Sequence, residues 1–192
     1  QLREVAEVFA AAPATLGCVQ ARLAVDHAGD TWVTRMFALE YAMLFDRLLP
    51  WLAARRLPFL LGGTSNHFRR SALLAVGGWD SWNVTEDADL ALRLARRGYG
   101  TAVVASTTYE EAPLSLPAWF RQRTRWYKSW LQTWFVHACD HGGLLRGAGT
   151  AAFLMLQLQL LGTLLTVAAH PLFCLFVAGY LGGLVAIGGG TF

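Results

Sequence analysis

Residues 84–98 read Val-Thr-Glu-Asp-Ala-Asp-Leu-Ala-Leu-Arg-Leu-Ala-Arg-Arg-Gly, and the rest of the chain is best read outward from them. Thr85 stands where a helix N-cap belongs. Glu86 and Asp87 fall in the first turn, Arg93, Arg96 and Arg97 in the last, and Gly98 just beyond. Acids at the start and cations at the end complement the helix dipole, and a glycine after the last turn suits a left-handed cap. Next, Thr101 to Ser106 is an apolar run that reads as a buried strand. Helices alternating with short apolar strands define an α/β domain.

Working back from that helix, Ser71 to Val76 is a short helix broken by Gly77-Gly78, and residues 59–63 look like a short buried strand entering a glycine turn. Residues 31–56 are a long helical candidate, stopped or kinked by Pro50. Its apolar stripe of Phe37, Met43, Leu44, Leu48 and Leu52 suits a core helix or one lying on a membrane surface, the core being the simpler reading. Leu16 to Val25 reads as a strand with Gln20 and Arg22 on one face, and residues 2–12 as a helix ended by Pro13. Working forward, Pro117 opens a helix that carries Trp119, Gln122, Arg125, Trp126 and Trp130.

Charge divides the chain in two. Of 192 residues, 55% are hydrophobic and only 15% charged, with a mean hydropathy of +0.37. Every Asp, Glu, Lys and Arg lies at or before Arg146. An ordinary polar part, residues 1–146, therefore precedes a membrane-like tail, residues 147–192. This excludes a disordered chain and a purely soluble enzyme. The tail has room for two spanning helices of about 20 residues each, at 151–169 and 171–187, with the break at His170-Pro171. Gln157 and Gln159 would face other helices rather than lipid. Arg121, Arg123, Arg125, Lys128 and Arg146 precede the tail and place the polar part in the cytoplasm. A net charge of +3 is too mild for nucleic-acid binding. Cys18, Cys139 and Cys174 have neither metal nor disulfide spacing, which suits a reducing compartment. The Gln1 start and the uncharged Gly188–Phe192 end suggest a piece of a longer chain.

Four constellations could carry chemistry. In Thr85-Glu86-Asp87-Ala88-Asp89 three carboxylates crowd one helix start. The dipole alone accounts for them, yet an ionised carboxylate aimed from a helix start also suits a general base. Gln122, Arg125 and Trp126 fit the pattern Q-x-x-R-W and share a helix face. An amide, a guanidinium and an indole there could grip a phosphate and a sugar ring, or could simply be an amphipathic helix. Gly62-Gly63-Thr64-Ser65-Asn66-His67-Phe68-Arg69 combines close backbone approach with donors, and Gly77-Gly78-Trp79-Asp80 is a turn with an aromatic anchor. Each of these two could equally be a plain turn. Other features point to no chemistry. Arg93, Arg96 and Arg97 read as a solvated helix end. His137 and His141 lack acidic or thiol company. The sequon Asn83-Val84-Thr85 is discounted because the domain is placed in the cytoplasm.

In order, G-G-T-S-N-H-F, G-G-W-D, T-E-D, E-E-A-P at Glu110–Pro113 and Q-R-T-R-W precede the apolar tail. This succession resembles the C-terminal half of the catalytic domain of a family 2 membrane glycosyltransferase of the cellulose-synthase-like bacterial type. The resemblance implies the C-terminal part of a GT-A-like nucleotide-sugar transferase domain followed by transmembrane helices. It assigns the general base to Asp87 and inverting transfer of a sugar from a nucleotide-sugar donor to a glycan acceptor, in polysaccharide synthesis. Trp126 would be the stacking platform and Arg125 the charge partner, with Gln122 beside them. Gly63, Thr64 and Asn66 would line the acceptor side, while Glu86, Asp89, Trp79 and Asp80 would support the geometry. The family's nucleotide-binding first half and its metal-binding carboxylates are missing, and Asp26 and Asp30 are poor substitutes. The fragment alone is therefore not expected to bind nucleotide sugar, and the implied Mg2+ or Mn2+ would take its ligands outside it. The expected setting is a multi-pass inner-membrane protein, with the lipid bilayer as a partner and no nucleic acid. Two other readings stay open: single addition to a lipid or short glycan, and a non-catalytic membrane scaffold. The scaffold reading gains if Asp87 and Trp126 point to opposite sides.

Overall fold

In the computed structural model, which describes residues 1–188, strand β1 (Leu16–Val25) is the spine of the polar part. Its residues Cys18, Val19, Ala21 and Leu23 are buried. Antiparallel β2 (Asn66–Phe68) pairs on one side, Val19 opposite His67, and parallel β3 (Gly100–Glu110) on the other, Val19 opposite Ala102. Among the described residues the sheet order is β2-β1-β3. Helices α1 (Leu2–Ala11) and α4 (Arg70–Ala75) match the expected positions. The strand expected at residues 59–63 does not form. Phe59 and Leu61 are buried as expected, but two glutamine side chains occupy the backbone groups that a neighbouring strand would need. Gln159 Oε1 accepts from Leu60 N at 3.1 Å, and Gln20 Oε1 accepts from Gly62 N at 2.9 Å.

The 31–56 segment is one helical run in three parts: α2 (Trp32–Met43), a π-helical turn (Leu44–Leu48) and α3 (Leu49–Ala54). The π turn lies just before Pro50, which has no N–H to give the preceding turn. One face packs Phe37, Phe45, Leu49 and Leu52 into the core, as the core reading expects. The opposite face stays exposed and carries Met43 and Leu48, which the expected stripe had placed with the core residues.

Helix α5 (Glu86–Arg96) ends as its sequence indicates. Gly98 adopts φ +74°, Gly98 N donates to Ala95 O and Tyr99 N to Leu94 O, the paired bonds of a Schellman cap. Its start differs from expectation, because Thr85 makes no side-chain cap. Its end is solvated only at Arg97, which is exposed, while Arg93 and Arg96 are engaged. Arg93 Nη1 donates to Val76 O and Gly78 O, both at 2.6 Å, and its Nε donates to Asp89 Oδ2 at 2.7 Å. Arg96 Nη1 reaches Asp140 Oδ2 at 3.2 Å.

Helix α6 (Leu116–Ala138) begins beside the expected Pro117 and is followed by α7 (His141–Ala148). The tail then forms α8 (Thr150–Gln157), a second π turn (Leu158–Gly162) and α9 (Thr163–Gly188) without interruption. The break expected at His170-Pro171 is absent, and Pro171 sits inside α9. A proline removes one hydrogen bond but need not end a helix whose other bonds all close within it. The described residues thus contain one helix long and apolar enough to cross a membrane, Thr150–Gly183, instead of the two expected spans. At 1.5 Å per residue its 34 residues reach about 51 Å, longer than the roughly 30 Å of a hydrocarbon core. The excess packs on the polar part, where Leu156 and Leu160 are buried, and from Leu165 to Gly183 the helix is exposed apart from the half-buried Val177. Residues 189–192, the last of the uncharged end, lie outside the described residues.

Candidate active site

Asp87 is the second residue of α5. Its Oδ1 accepts from Ala88 N at 2.7 Å, and its Oδ2 faces Gly63, where an added Cβ would lie 3.6 Å away. Burial pushes the Asp87 pKa up to about 6, the Ala88 N–H pulls it down and the Glu86 charge adds to the rise. The carboxylate is therefore less firmly ionised than a helix start alone implies, and closer to the pKa range of a working base.

Asp87 lines a cavity of about 220 Å3 together with Thr85, Gly63, Tyr41, Arg123 and Trp126. Asp87 and Trp126 thus meet in one space rather than pointing apart. The guanidinium in that cavity belongs to Arg123, not to Arg125. Arg123 grips Glu40 through two bonds of 2.6 Å and lies 4.8 Å from the Trp126 ring, 5.0 Å from Phe37 and 5.4 Å from Trp119. Arg125 is exposed and lines a separate open groove of about 580 Å3 with Arg121, Thr124 and Lys128. Gln122 lines neither space, and its Oε1 is buried without a partner.

The glycine-rich string is a turn held by β1 and by one of its own side chains. Gln20 Nε2 donates to Thr64 O at 3.0 Å, Ala21 N donates to Ser65 O, and Asn66 Nδ2 donates to Gly62 O. Ser65 adopts φ +55°, a strained value for a non-glycine residue. Thr64 Oγ1 donates to Glu110 Oε1, and Tyr41 Oη donates to Glu110 Oε2 at 3.2 Å. Of the acceptor-side residues expected from the sequence, Gly63 alone lines the cavity, while the Thr64 side chain is engaged by Glu110 of β3 and that of Asn66 by Gly62 O within the turn. Trp79 packs edge-on against Phe68 at 5.4 Å, and Asp80 Oδ1 accepts from Trp82 N at 3.0 Å, so both brace the turn before α5.

Asp89 is a structural hub. Its Oδ1 lies 2.8 Å from His137 Nε2 and its Oδ2 binds Arg93. Burial alone would raise its pKa, but the His137 bond and the Arg93 charge outweigh burial and hold it below the ordinary value. His137 therefore does have acidic company, supplied across space and invisible in linear spacing. Among the described residues no three His, Cys, Asp or Glu side chains gather as a metal site. The implied divalent cation finds no ligand set among them.

Sequence reasoning passed over Arg123, Glu40, Tyr41 and Ser129. Arg123 was detectable, because Trp119, Arg123 and Trp126 are four and three apart on one helix face. Glu40 and Tyr41 come from a helix distant in sequence and carried no local signal.

The α/β domain thus sets a buried carboxylate and an indole in one cavity and continues into a long apolar helix. The chain matches the family described as glycosyl transferase family group 2 over residues 1–187, and it belongs to that family. It is 32% identical over 116 residues to the probable glycosyltransferase YdaM of Bacillus subtilis, covering 57% of this chain and 26% of that protein. It is 28% identical over 165 residues to the beta-monoglucosyldiacylglycerol synthase of Synechocystis, covering 81% of this chain and 33% of that protein. A probable glucomannan 4-beta-mannosyltransferase of Arabidopsis thaliana is 32% identical over 109 residues, covering 56% of this chain and 20% of that protein. The chain thus spans between a fifth and a third of the length of these relatives.

Proposed function

We propose that Asp87 is the general base of an inverting glycosyl transfer carried out by the protein to which this chain belongs. An acceptor hydroxyl gives its proton to Asp87 Oδ2. The acceptor oxygen attacks C1 of the donor sugar from the face opposite the leaving group. The C1–oxygen bond to the nucleoside diphosphate breaks, and the diphosphate leaves with the electron pair. Trp126 offers a flat apolar face for a sugar ring next to that carboxylate. Arg125 and its neighbours Arg121 and Lys128 offer cations to a diphosphate in the outer groove.

The observation that carries this reading is the buried, up-shifted Asp87 carboxylate sharing one cavity with Trp126. The acceptor is a glycan and the setting a bilayer crossed by the apolar helix, with the polar part cytoplasmic. A second reading, single addition to a lipid, draws on the cavity's apolar wall of Leu44, Leu48 and Leu60, and on the similarity to a glycolipid synthase over 81% of the chain. The test is Asp87→Asn in the intact membrane protein, incubated with labelled nucleotide sugars and with glycan or diacylglycerol acceptors. Transfer should be lost while the protein stays folded. Retained turnover overturns the assignment of the base, and the acceptor that becomes labelled in the unaltered protein separates the two readings.

A further inference from the structure

Helix α2 reaches both walls of the Asp87 cavity through two consecutive residues, and both line it. Glu40 holds Arg123 of α6 by two bonds of 2.6 Å. Tyr41 Oη donates to Glu110 Oε2 at 3.2 Å, and Glu110 Oε1 accepts from Thr64 in the glycine turn. Burial, and then the Glu110 charge, push the Tyr41 pKa above its ordinary value, so its hydroxyl stays a donor.

Apolar packing follows the same path. The ring centroids of Trp126 and Phe37 lie 6.4 Å apart, those of Phe37 and Tyr41 4.7 Å, and those of Tyr41 and Phe45 5.3 Å. The far end of this ladder meets the turn, since a Cβ added at Gly62 would lie 3.3 Å from Phe45 Cζ. Close-packed rings make a stiff spacer. The gap between the Trp126 indole and the Gly62–Gly63 turn is therefore set by the helical run that carries Phe37, Tyr41 and Phe45.

Arg123 is the coupling at the indole end. Its side chain is only 6% exposed, both Nη atoms bond Glu40, and its Nε is buried without a partner. Among the described residues it is the one guanidinium with three rings around it, whereas Arg55 and Arg69 each have one. A cation enclosed in this way serves its neighbours rather than a ligand. Glu40 meets its buried charge, and the guanidinium in turn holds the indole.

We propose that Glu40 and Tyr41 are positioning residues that set the width of the acceptor slot, Glu40 by fixing the Trp126 indole through Arg123 and Tyr41 by fixing the glycine turn through Glu110. Neither touches the reacting atoms. A stacking platform binds the acceptor equally in the ground and transition states, so disturbing it raises the acceptor KM and leaves kcat nearly unchanged.

The inference rests on Trp126 as the acceptor platform, and not on Asp87 as the base. The intact protein would be labelled with 5-fluorotryptophan, with Trp126→Phe and Trp119→Phe assigning the two fluorine lines. In Glu40→Gln the Trp126 line should shift and broaden, and Glu40→Asp should restore it in part. In Tyr41→Phe that line should stay while amide exchange at residues 62–65 accelerates. Kinetics use whichever of cellobiose and diacylglycerol the unaltered protein labels from its nucleotide sugar. Glu40→Gln should raise the acceptor KM about fivefold, with donor KM and kcat little changed. In a Trp126→Phe background it should add nothing further. Where neither acceptor is labelled, the fluorine line decides alone. Should Glu40→Gln not fold, Arg123→Lys, which keeps the charge but not the flat face, reads the same quantities. An unmoved Trp126 line overturns the proposal, as does a loss confined to kcat or one that simply adds to that of Trp126→Phe. Turnover retained in Asp87→Asn, together with the raised acceptor KM of Glu40→Gln, would remove the base and leave the positioning pair. Turnover lost in Asp87→Asn, with an unmoved line in Glu40→Gln, would do the reverse.

Discussion

The backbone N–H of Thr85 donates to Ser129 Oγ at 3.0 Å, and the Thr85 hydroxyl donates to the same oxygen at 2.9 Å. The Ser129 hydroxyl donates in turn to Asn83 Oδ1 at 3.0 Å, and Asn83 Nδ2 donates to Thr133 Oγ1 at 2.8 Å. Two residues before Asp87, the start of α5 is therefore fastened to α6. This is why Thr85 does not cap its own helix. Its hydroxyl serves the contact between the T-E-D and Q-x-x-R-W elements.

Ser129→Ala removes one of two acceptors for a buried N–H, since Asn83 Oδ1 remains 3.1 Å from Thr85 N. The expected loss is about 1–2 kcal/mol of stability. The release of α5 should act on catalysis through Asp87, lowering kcat more than it raises KM. Thermal unfolding and steady-state kinetics of the intact protein check both, and an unchanged kcat would make the contact purely structural.

Asp87 should show its burial in two pH dependences. Transfer should rise with pH to a plateau, with a midpoint near pH 6. Stability should do the opposite. The folded pKa of about 6 lies above the ordinary 3.8, so between these values the folded state binds more protons than the unfolded chain. Stability contributed at this site therefore falls as pH rises through that window, and the full cost is present above it. The gap corresponds to at most about 3 kcal/mol. Asp87→Asn should thus be inactive yet more stable at pH 7.5, with the gain vanishing near pH 4. Denaturant titrations at the two pH values measure it.

The legible parts of this fold are those whose signals are local. The charges and Gly98 of 84–98 gave α5 and its end, and the apolar runs gave β1 and β3. Several of the failures share one cause, which is that distant side chains took over backbone or charge partners; the unbroken helix at Pro171 is not one of them. Residues 59–63 match a buried strand in composition, but Gln20 and Gln159 satisfy their amides. Arg93 reads as a solvated helix end because Val76 O, Gly78 O and His137 meet at the Asp89–Arg93 pair only in three dimensions. At the site, Asp87 and Trp126 were legible as motif residues, whereas the Glu40–Arg123 clamp required α2 to pack against α6.

Removing Arg93 should be costly. Arg93→Met leaves the buried Asp89 carboxylate with His137 alone and frees the carbonyls of Val76 and Gly78. Breaking such a buried pair from one side costs about 3 kcal/mol. Asp89 has a folded pKa below its ordinary value, so its partners contribute stability above that ordinary value, and the contribution is lost as pH falls through the folded one. The penalty of Arg93→Met should therefore be largest near neutrality and shrink in acid. Unfolding curves at pH 7 and pH 3 decide it, and a penalty independent of pH would assign the loss to the carbonyl contacts instead.

Gln159 couples the apolar helix to the domain at a place where apolar contact alone would leave polar groups unmet. Gln159→Leu keeps similar bulk but strands Leu60 N and Pro58 O, which no strand is present to rescue. Because the wall of the Asp87 cavity includes Leu60, Leu61 and Gly63, loosening this segment should reach the site without touching it. Amide exchange across residues 57–63 should accelerate, while exchange in β1 and α5 stays slow and the protein remains in the membrane fraction. Turnover should fall together with that local protection. Full protection of 57–63 in the variant would mean that the packing of Phe59 and Leu61 holds the segment, and that the glutamine bonds only follow it.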